Sequence, residues 1–281
     1  MVRARADLHT HSSASDGSDS PSELARKADA MELGGIALTD HDSLDGLEEF
    51  LNTKVSAELT RVPGLEISAE YEKTEVHILG YFVPLDSKPL NDRLGYLRKA
   101  RHERLPKIIR KLNDLGMDIT IEELYEDLEG VASPGRPHVA QALIKKGYVK
   151  TTLEAFQKYL ASDKPAFVKK ERMDALEAVE LLKSVKAVPV LAHPLTIKVQ
   201  DLRAFIMTLI DAGLMGVEVD YDYSFMGMRR SSDDVKDIVQ GLDVVHTGGS
   251  DYHGTIHYTG LGSVTVPIEV IHELEKTHDE L

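Results

Sequence analysis

Short apolar runs that stop at polar, often histidine-bearing residues recur along this chain, with amphipathic helical stretches between them. Arg3 to Leu8 leads into His9 and His11, Ile36-Ala37-Leu38 into Thr39-Asp40-His41, and Val188 to Ala192 into His193-Pro194. Met215 to Val219 is a further run, and Val244 to Thr247 leads into Gly248-Gly249-Ser250-Asp251-Tyr252-His253. Ser20-Pro21-Ser22-Glu23 puts Ser at an N-cap, Pro at the first helical position and Glu at the third, a capping box that opens a helix to about Leu33. Asp201 to Ala212 reads as an amphipathic helix closed by Gly213, and Ser231 to Val239 as another. Strands alternating with helices make βαβ units, whose functional groups collect on the loops after the strands' carboxyl ends. The expected class is therefore α/β, with a barrel as the architecture.

Two stretches depart from the alternation. Val62 to Ile67 and Val76 to Val83 are strand-like runs separated by the charged turn Glu72-Lys73-Thr74-Glu75, and His77, Leu79 and Tyr81 share a face of the second. From about Leu90 to Lys183 the pattern is helix after helix, with capping boxes at Thr120-Ile121-Glu122-Glu123 and Thr151-Thr152-Leu153-Glu154. The expected organisation is a barrel domain from residues 1–98 and 175–281, interrupted by a helical insertion, 99–174.

The 281 residues carry 33 Lys and Arg against 47 Asp and Glu, a net charge of −14, which excludes a protein that binds long polyanions through a basic face. There is no cysteine, so no thiolate nucleophile and no Cys-ligated site, and any metal must be held by His and carboxylate. No apolar run has the length of a signal segment or of a membrane span, and the expectation is a soluble cytoplasmic protein with no membrane partner.

The polar groups at the strand ends are His9, His11, Asp16, Asp40, His41, Glu66, His77, His193, Asp251 and His253, all of ligand type for first-row metals. His9 and His11, like Asp251 and His253, stand two residues apart, which in an extended chain places both side chains on one face. If neighbouring strands bring these groups to one mouth, they exceed what a single ion takes and point to two or three ions. Of the other histidines, His102 lies in a cationic helix, His246 is expected in the core, His272 and His278 have no assigned role, and His257 follows the Asp251–His253 loop.

The runs ADLHTHSSASDGS (6–18), LTDHD (38–42), GLEIS (64–68), AHP (192–194) and GGSDYHG (248–254) resemble, in order, the PHP family, named for its polymerase-associated and histidinol-phosphatase members. The resemblance implies a distorted seven-stranded (β/α) barrel with a centre of two or three divalent metal ions, manganese foremost and iron or zinc as alternatives, that hydrolyses phosphoesters. It puts His9, His11, Glu66 and Asp251 on one ion, Asp16, His41 and His253 on a second, and Glu66, His77 and His193 on a third, with Glu66 bridging. Asp16 stands where some relatives have His. Asp16, His41, Glu66, Asp251 and His253 would form the catalytic set.

The helical block resembles that of a PHP subgroup acting on nucleotides, in which an inserted lid covers the barrel mouth. Its marks are Gly135-Arg136-Pro137-His138 and Phe167-Val168-Lys169-Lys170, so that Arg136, His138 and Lys170 would hold a non-reacting phosphate. The implied substrate is a small phosphorylated nucleotide, a nucleoside 3′,5′-bisphosphate cleaved to the 5′-monophosphate by hydroxide attack on phosphorus. A phosphodiesterase acting on short oligonucleotides from the 5′ end or on cyclic phosphates is the alternative. A non-catalytic metal-binding module would lack some ligands, and an amidohydrolase would carry a lysine where Glu66 stands.

Overall fold

The computed structural model describes residues 3–126, 135–169, 171–224, 227–255 and 259–281. Lys170, His257 and the pair Phe225-Met226 lie outside these residues, as does the side chain of His102. The chain forms two compact units, residues 1–94 with 172–281, and residues 95–171. Among the described residues no helix is long and apolar enough to cross a membrane.

The first unit is built on one sheet. Its strands are β1 (Arg5–Asp7), β2 (Gly35–Leu38), β3 (Thr60–Tyr71), β4 (Thr74–Tyr81), β5 (Met173–Asp174), β6 (Val188–Leu191), β7 (Gly216–Asp220), β8 (Val245–Gly248) and β9 (Val266–Pro267). They pair in the order β8-β7-β6-β4-β3-β2-β1-β9, with β5 added to β3. Beyond β1, Leu8 N–H donates to the carbonyl of Gly248 at 3.2 Å and Thr10 bridges Tyr252, so the first and eighth strands meet and the sheet curls into a barrel of seven strands. The helices are α1 (Pro21–Ala30), α2 (Leu47–Asn52), α3 (Lys88–Asp114), α4 (Ile121–Glu126), α5 (Arg136–Lys145), α6 (Thr152–Ala155), α7 (Ala175–Ser184), α8 (Leu202–Ala212), α9 (Ser232–Val239) and α10 (Glu269–Asp279).

Local signals set the boundaries. Ser20 and Glu23 exchange both bonds of a capping box at α1. Asp201 caps α8, and Gly213 ends it at φ 113°, where a side chain would be strained. The Thr120 box is also complete, whereas at Thr151 the Glu154 carboxylate accepts from Lys150 N–H instead of the cap residue.

The barrel is distorted at β4, which runs antiparallel to both β3 and β6 while the neighbouring pairs β1–β2, β2–β3, β6–β7 and β7–β8 are parallel. The cause is the hairpin at Glu72 and Lys73, both at positive φ, the left-handed two-residue turn that reverses a strand without a crossover. His77 thus lies in the amino-terminal half of a descending strand, at the same mouth as the carboxyl ends of its neighbours. Pairing of Met173 with Ala69 draws residues 172–174 into the barrel unit, three residues beyond the expected boundary, and the other division falls at Gly95 inside α3.

Ala6, Leu8, Ala37, Val62, Leu79, Tyr81, Val188 and Val190 pack together as a buried cluster of the barrel unit, each such Leu or Val side chain contributing about 1.5–3 kcal/mol of burial. Tyr81 resolves its one polar atom by donating to the Leu8 carbonyl at 2.8 Å. His246, expected in the core, is exposed on β8, where only Thr247 and Gly248 are buried. The second unit has its own core, with Leu105, Ile108, Leu112, Leu124, Val139, Leu143 and Leu160 at its centre.

Candidate metal centre

His9 and His11 leave β1 on one face because Thr10 between them bridges Tyr252. Glu66 sits in the middle of the long strand β3, yet it reaches the mouth because His41, just past the shorter β2, is its bridge partner. His77 pairs with Ser68 and Leu79 with Glu66, so His77 and Glu66 are diagonal neighbours on one sheet face. His193 and Asp251 project from sharp turns after β6 and β8, at φ 29° and 52°, a conformation that costs a non-glycine residue about 1–3 kcal/mol and that concentrates at functional sites.

The structure brings His9, His11, Asp16, His41, Glu66, His77, His193, Asp251 and His253 into one cluster with Glu66 at its centre. Glu66 Oε1 is 2.8 Å from His77 Nδ1 and 3.1 Å from His193 Nε2. Its Oε2 is 3.0 Å from His41 Nδ1, 3.4 Å from His11 Nε2 and 3.5 Å from His9 Nε2. Asp251 Oδ1 stands 3.4 Å from His9 Nε2 and 3.2 Å from His11 Nε2, which are 3.1 Å from each other. Asp16 lies 3.4 Å from His253 Nε2 and 3.9 Å from both His11 Nδ1 and His41 Nε2.

These separations fit shared cations. Donor atoms on one ion at bonds of ~2.0–2.2 Å stand about 2.8–3.6 Å apart, whether octahedral or tetrahedral, so the cage formed by His9, His11, Glu66 and Asp251 has the right size without selecting the metal. Among the described residues three overlapping donor sets are close enough to hold an ion: His9, His11 and Asp251; His11, Asp16, His41 and His253; and His41, Glu66 and His77. Glu66 Oε2, His11 Nδ1 and His41 Nδ1 are buried without a hydrogen-bond partner, the condition of lone pairs aimed at a cation.

The clustered groups shift one another's charge strongly. Burial alone would push Glu66, Asp251 and Asp16 up, but the facing imidazoles outweigh it and hold all three carboxyls well below the usual range. Burial and the neighbouring His253 push His11 down to about 3, which leaves its ring neutral, as a ligand must be. His77 and His253 go the other way: against burial, the carboxylates of Glu66 and Asp251 raise them to about 10 and about 9.

A supporting layer escaped the sequence reading. Glu218, fully buried on β7, lies 2.9 Å from His9 Nδ1 and accepts from His193 N–H at 2.7 Å. Tyr221 O–H donates to Asp251 Oδ2 at 2.9 Å. Asp7 takes the N–H and O–H of Ser250 and the N–H of Gly262, fastening the loop before Asp251. Asp40, grouped by the strand-end pattern with the ligand types, instead binds Ser12 and Ser15 and fastens the loop between His11 and Asp16. Burial pushes the carboxyls of Asp7 and Asp40 up to about 6. A lone acidic residue inside an apolar strand, as in Met215-Gly216-Val217-Glu218-Val219, was the one available signal for Glu218.

Arg136 and His138 belong to the second unit. Arg136 begins α5, donates to the Leu160 carbonyl at 3.2 Å and lies over the rings of Phe156 and Phe167, 5.4 and 5.8 Å from their centroids. His138 Nδ1 accepts the N–H of Gly135 at 3.0 Å and so caps the same helix.

A family model described as the PHP domain matches residues 7–166. A 5′-3′ exoribonuclease of Haemophilus influenzae is 33% identical over 191 residues, 67% of this chain and 68% of that protein. A 3′,5′-nucleoside bisphosphate phosphatase of Chromobacterium violaceum is 28% identical over 255 residues, 89% of this chain and 87% of that one. A crystal structure from Bifidobacterium adolescentis, assigned as a metal-dependent phosphoesterase, superimposes with a TM-score of 0.85 at 25% identity, covering 97% of this chain and 96% of its own. With the family model matching more than half its length, and with the seven-stranded barrel and histidine–carboxylate mouth described above, this chain belongs to the PHP domain family.

Proposed function

We propose that this chain is a metal-dependent phosphoester hydrolase that converts a nucleoside 3′,5′-bisphosphate to the 5′-monophosphate. The observation that carries the chemistry is the gathering of nine ligand-type side chains into one cluster, with five imidazoles around the Glu66 carboxylate. The substrate is supported by similarity to the Chromobacterium phosphatase, which runs through the helical unit and nearly the whole of both chains.

His9, His11, Glu66 and Asp251 hold one ion, Asp16, His41 and His253 a second, and Glu66, His77 and His193 a third. Manganese is the proposed metal, with iron or zinc as alternatives. Bound there, the ions supply Lewis acidity, lowering the pKa of water towards ~7 and offsetting charge on the phosphoryl oxygens. Water as the nucleophile requires no covalent enzyme intermediate, which suits a chain with no cysteine. The divalent charges also explain how a protein of net charge −14 receives an anion. Arg136, His138 and Lys170 hold the phosphate that does not react, so binding away from the reacting centre orients the ester. Arg136 suits the role because its planar fork sits at a helix N-terminus, stiffened by two aromatic rings.

The higher identity to the exoribonuclease favours a second reading, phosphodiester cleavage of short oligonucleotides. The test follows the products that manganese-loaded protein forms from adenosine 3′,5′-bisphosphate, 2′,3′-cyclic AMP and a 5′-phosphorylated dinucleotide, read as inorganic phosphate for the first and as newly formed mononucleotide by chromatography for the other two, with Asp251→Ala as control. Turnover of the bisphosphate alone, lost in the variant, is expected. Turnover of the dinucleotide alone replaces the proposal with the exonuclease reading.

A further inference from the structure

We propose that Glu218 is a positioning residue that orients ligands of two different ion sites at once. The inference rests on the ligand sets proposed above and adds a residue that belongs to none of them. Glu218 lies on β7, between β6, which delivers His193, and β8, whose end meets β1 and His9. Its two oxygens are divided between those neighbours: Oε1 accepts from His9 Nδ1 at 2.9 Å, and Oε2 accepts from the backbone N–H of His193 at 2.7 Å.

Each bond sets something a metal ligand needs. A carboxylate that accepts from Nδ1 places the ring proton there and leaves the lone pair on Nε2. That atom is the one 3.1 Å from His11 Nε2 and 3.4 Å from Asp251 Oδ1. At His193 the held N–H belongs to a peptide at φ 29° and ψ 59°, a backbone that a non-glycine residue keeps only when its surroundings impose it. This turn aims Nε2 at Glu66 Oε1, 3.1 Å away, while Nδ1 meets Thr196 Oγ1 at 3.1 Å. Glu218 is fully buried, and no water is needed to explain either bond.

Glutamine has nearly the same shape but only one side-chain acceptor. In Glu218→Gln the amide N–H₂ must face either His9 Nδ1, which forces the ring proton onto Nε2, or the His193 N–H, which sets donor against donor at the strained turn. One ion site loses its ligand in either orientation.

The experiment titrates metal-free wild-type and Glu218→Gln protein with zinc against a competing chelating indicator, and records the thermal midpoint of each metal-free protein. The expected result is at least one zinc site weakened tenfold or more, within the 10- to 100-fold range of such outer partners, with the metal-free midpoint within a few degrees of wild type. A change below tenfold at every site overturns the inference. Wild-type protein that takes up no zinc and no manganese overturns the ligand sets instead, a separate failure. If the variant does not fold, nitrogen-15 spectra of histidine-labelled, zinc-loaded wild type decide: a His9 ring protonated at Nδ1 is expected, and one protonated at Nε2 overturns the inference.

Discussion

Gly249→Ala should take apart the ion cage while leaving most of the barrel standing. A methyl group on Gly249 would collide with the backbone nitrogen of His9, come within 2.5 Å of His9 Cβ and lie 2.9 Å from Asp7 Oδ1. Two of these atoms belong to the backbone or the root of a side chain and cannot swing aside. Restoring ordinary contact of ~3.4 Å or more requires His9 and the 248–251 segment to part by about 1 Å, an overpacking strain of about 1–3 kcal/mol. His9 Nε2 and Asp251 Oδ1 stand 3.4 Å apart. Adding about 1 Å takes them past the ~3.6 Å that donors on one ion can span. Gly260→Ala makes the same chemical change where no other part of the described residues lies within 4 Å beyond its own chain neighbours, and is the control. Calorimetry should show a thermal midpoint lowered by about 2–10 °C in Gly249→Ala. Zinc titration should show a loss of affinity of tenfold or more in that variant alone. Metal binding equal to that of Gly260→Ala would refute the claim that His9 and Asp251 share an ion.

Three further expectations are open to direct measurement. His77 and His253, raised to about 10 and about 9 in the metal-free cluster, carry protons at neutral pH that ligation must displace, so apparent metal affinity should rise with each pH unit from 6 to 8 and protons should be released into weakly buffered solution; an affinity flat over that range would contradict it. Arg136→Ala should lower kcat/KM for a nucleoside bisphosphate by roughly 10- to 100-fold, the worth of charge-assisted hydrogen bonds, while sparing a monophosphate; equal loss on both would remove Arg136 from phosphate recognition. Leu143→Ala, fully buried in the helical unit, should cost about 2–5 kcal/mol and loosen residues 95–171 in hydrogen exchange while the barrel keeps its protection.

The features legible in the sequence were those written in local chemistry. The Ser20 box, the Asp201 cap and Gly213 place helix ends because a cap needs only neighbours within one turn. His9 and His11, and likewise Asp251 and His253, were readable because a spacing of two means one face of an extended chain. The reversal at β4 was harder to read, since Glu72 and Lys73 adopt positive φ without the Gly or Asn that normally announces such a turn. Asp40 shares the ligand chemistry of the other strand-end groups, and only the fold shows its carboxylate turned towards Ser12 and Ser15. Glu218 was hidden by its partners, which are far away in sequence and meet it only when three strands assemble.

The closure of β1 against β8 also bears on how the molecule comes to exist. Asp7 grips Ser250 across 243 positions of chain, and the groups beside them, His9 and His11 on one side and Asp251 on the other, face each other over the same gap. On a ribosome the two histidines emerge before Asp251, which follows only after the whole helical unit has been made. Contacts of such sequence separation form late and slowly. Until then the amino-terminal strands have an unfinished edge and a set of imidazoles with no settled companion. An ion arriving at that moment would favour the completed ring, so metal supply in the cell would influence the yield of folded protein as well as its turnover.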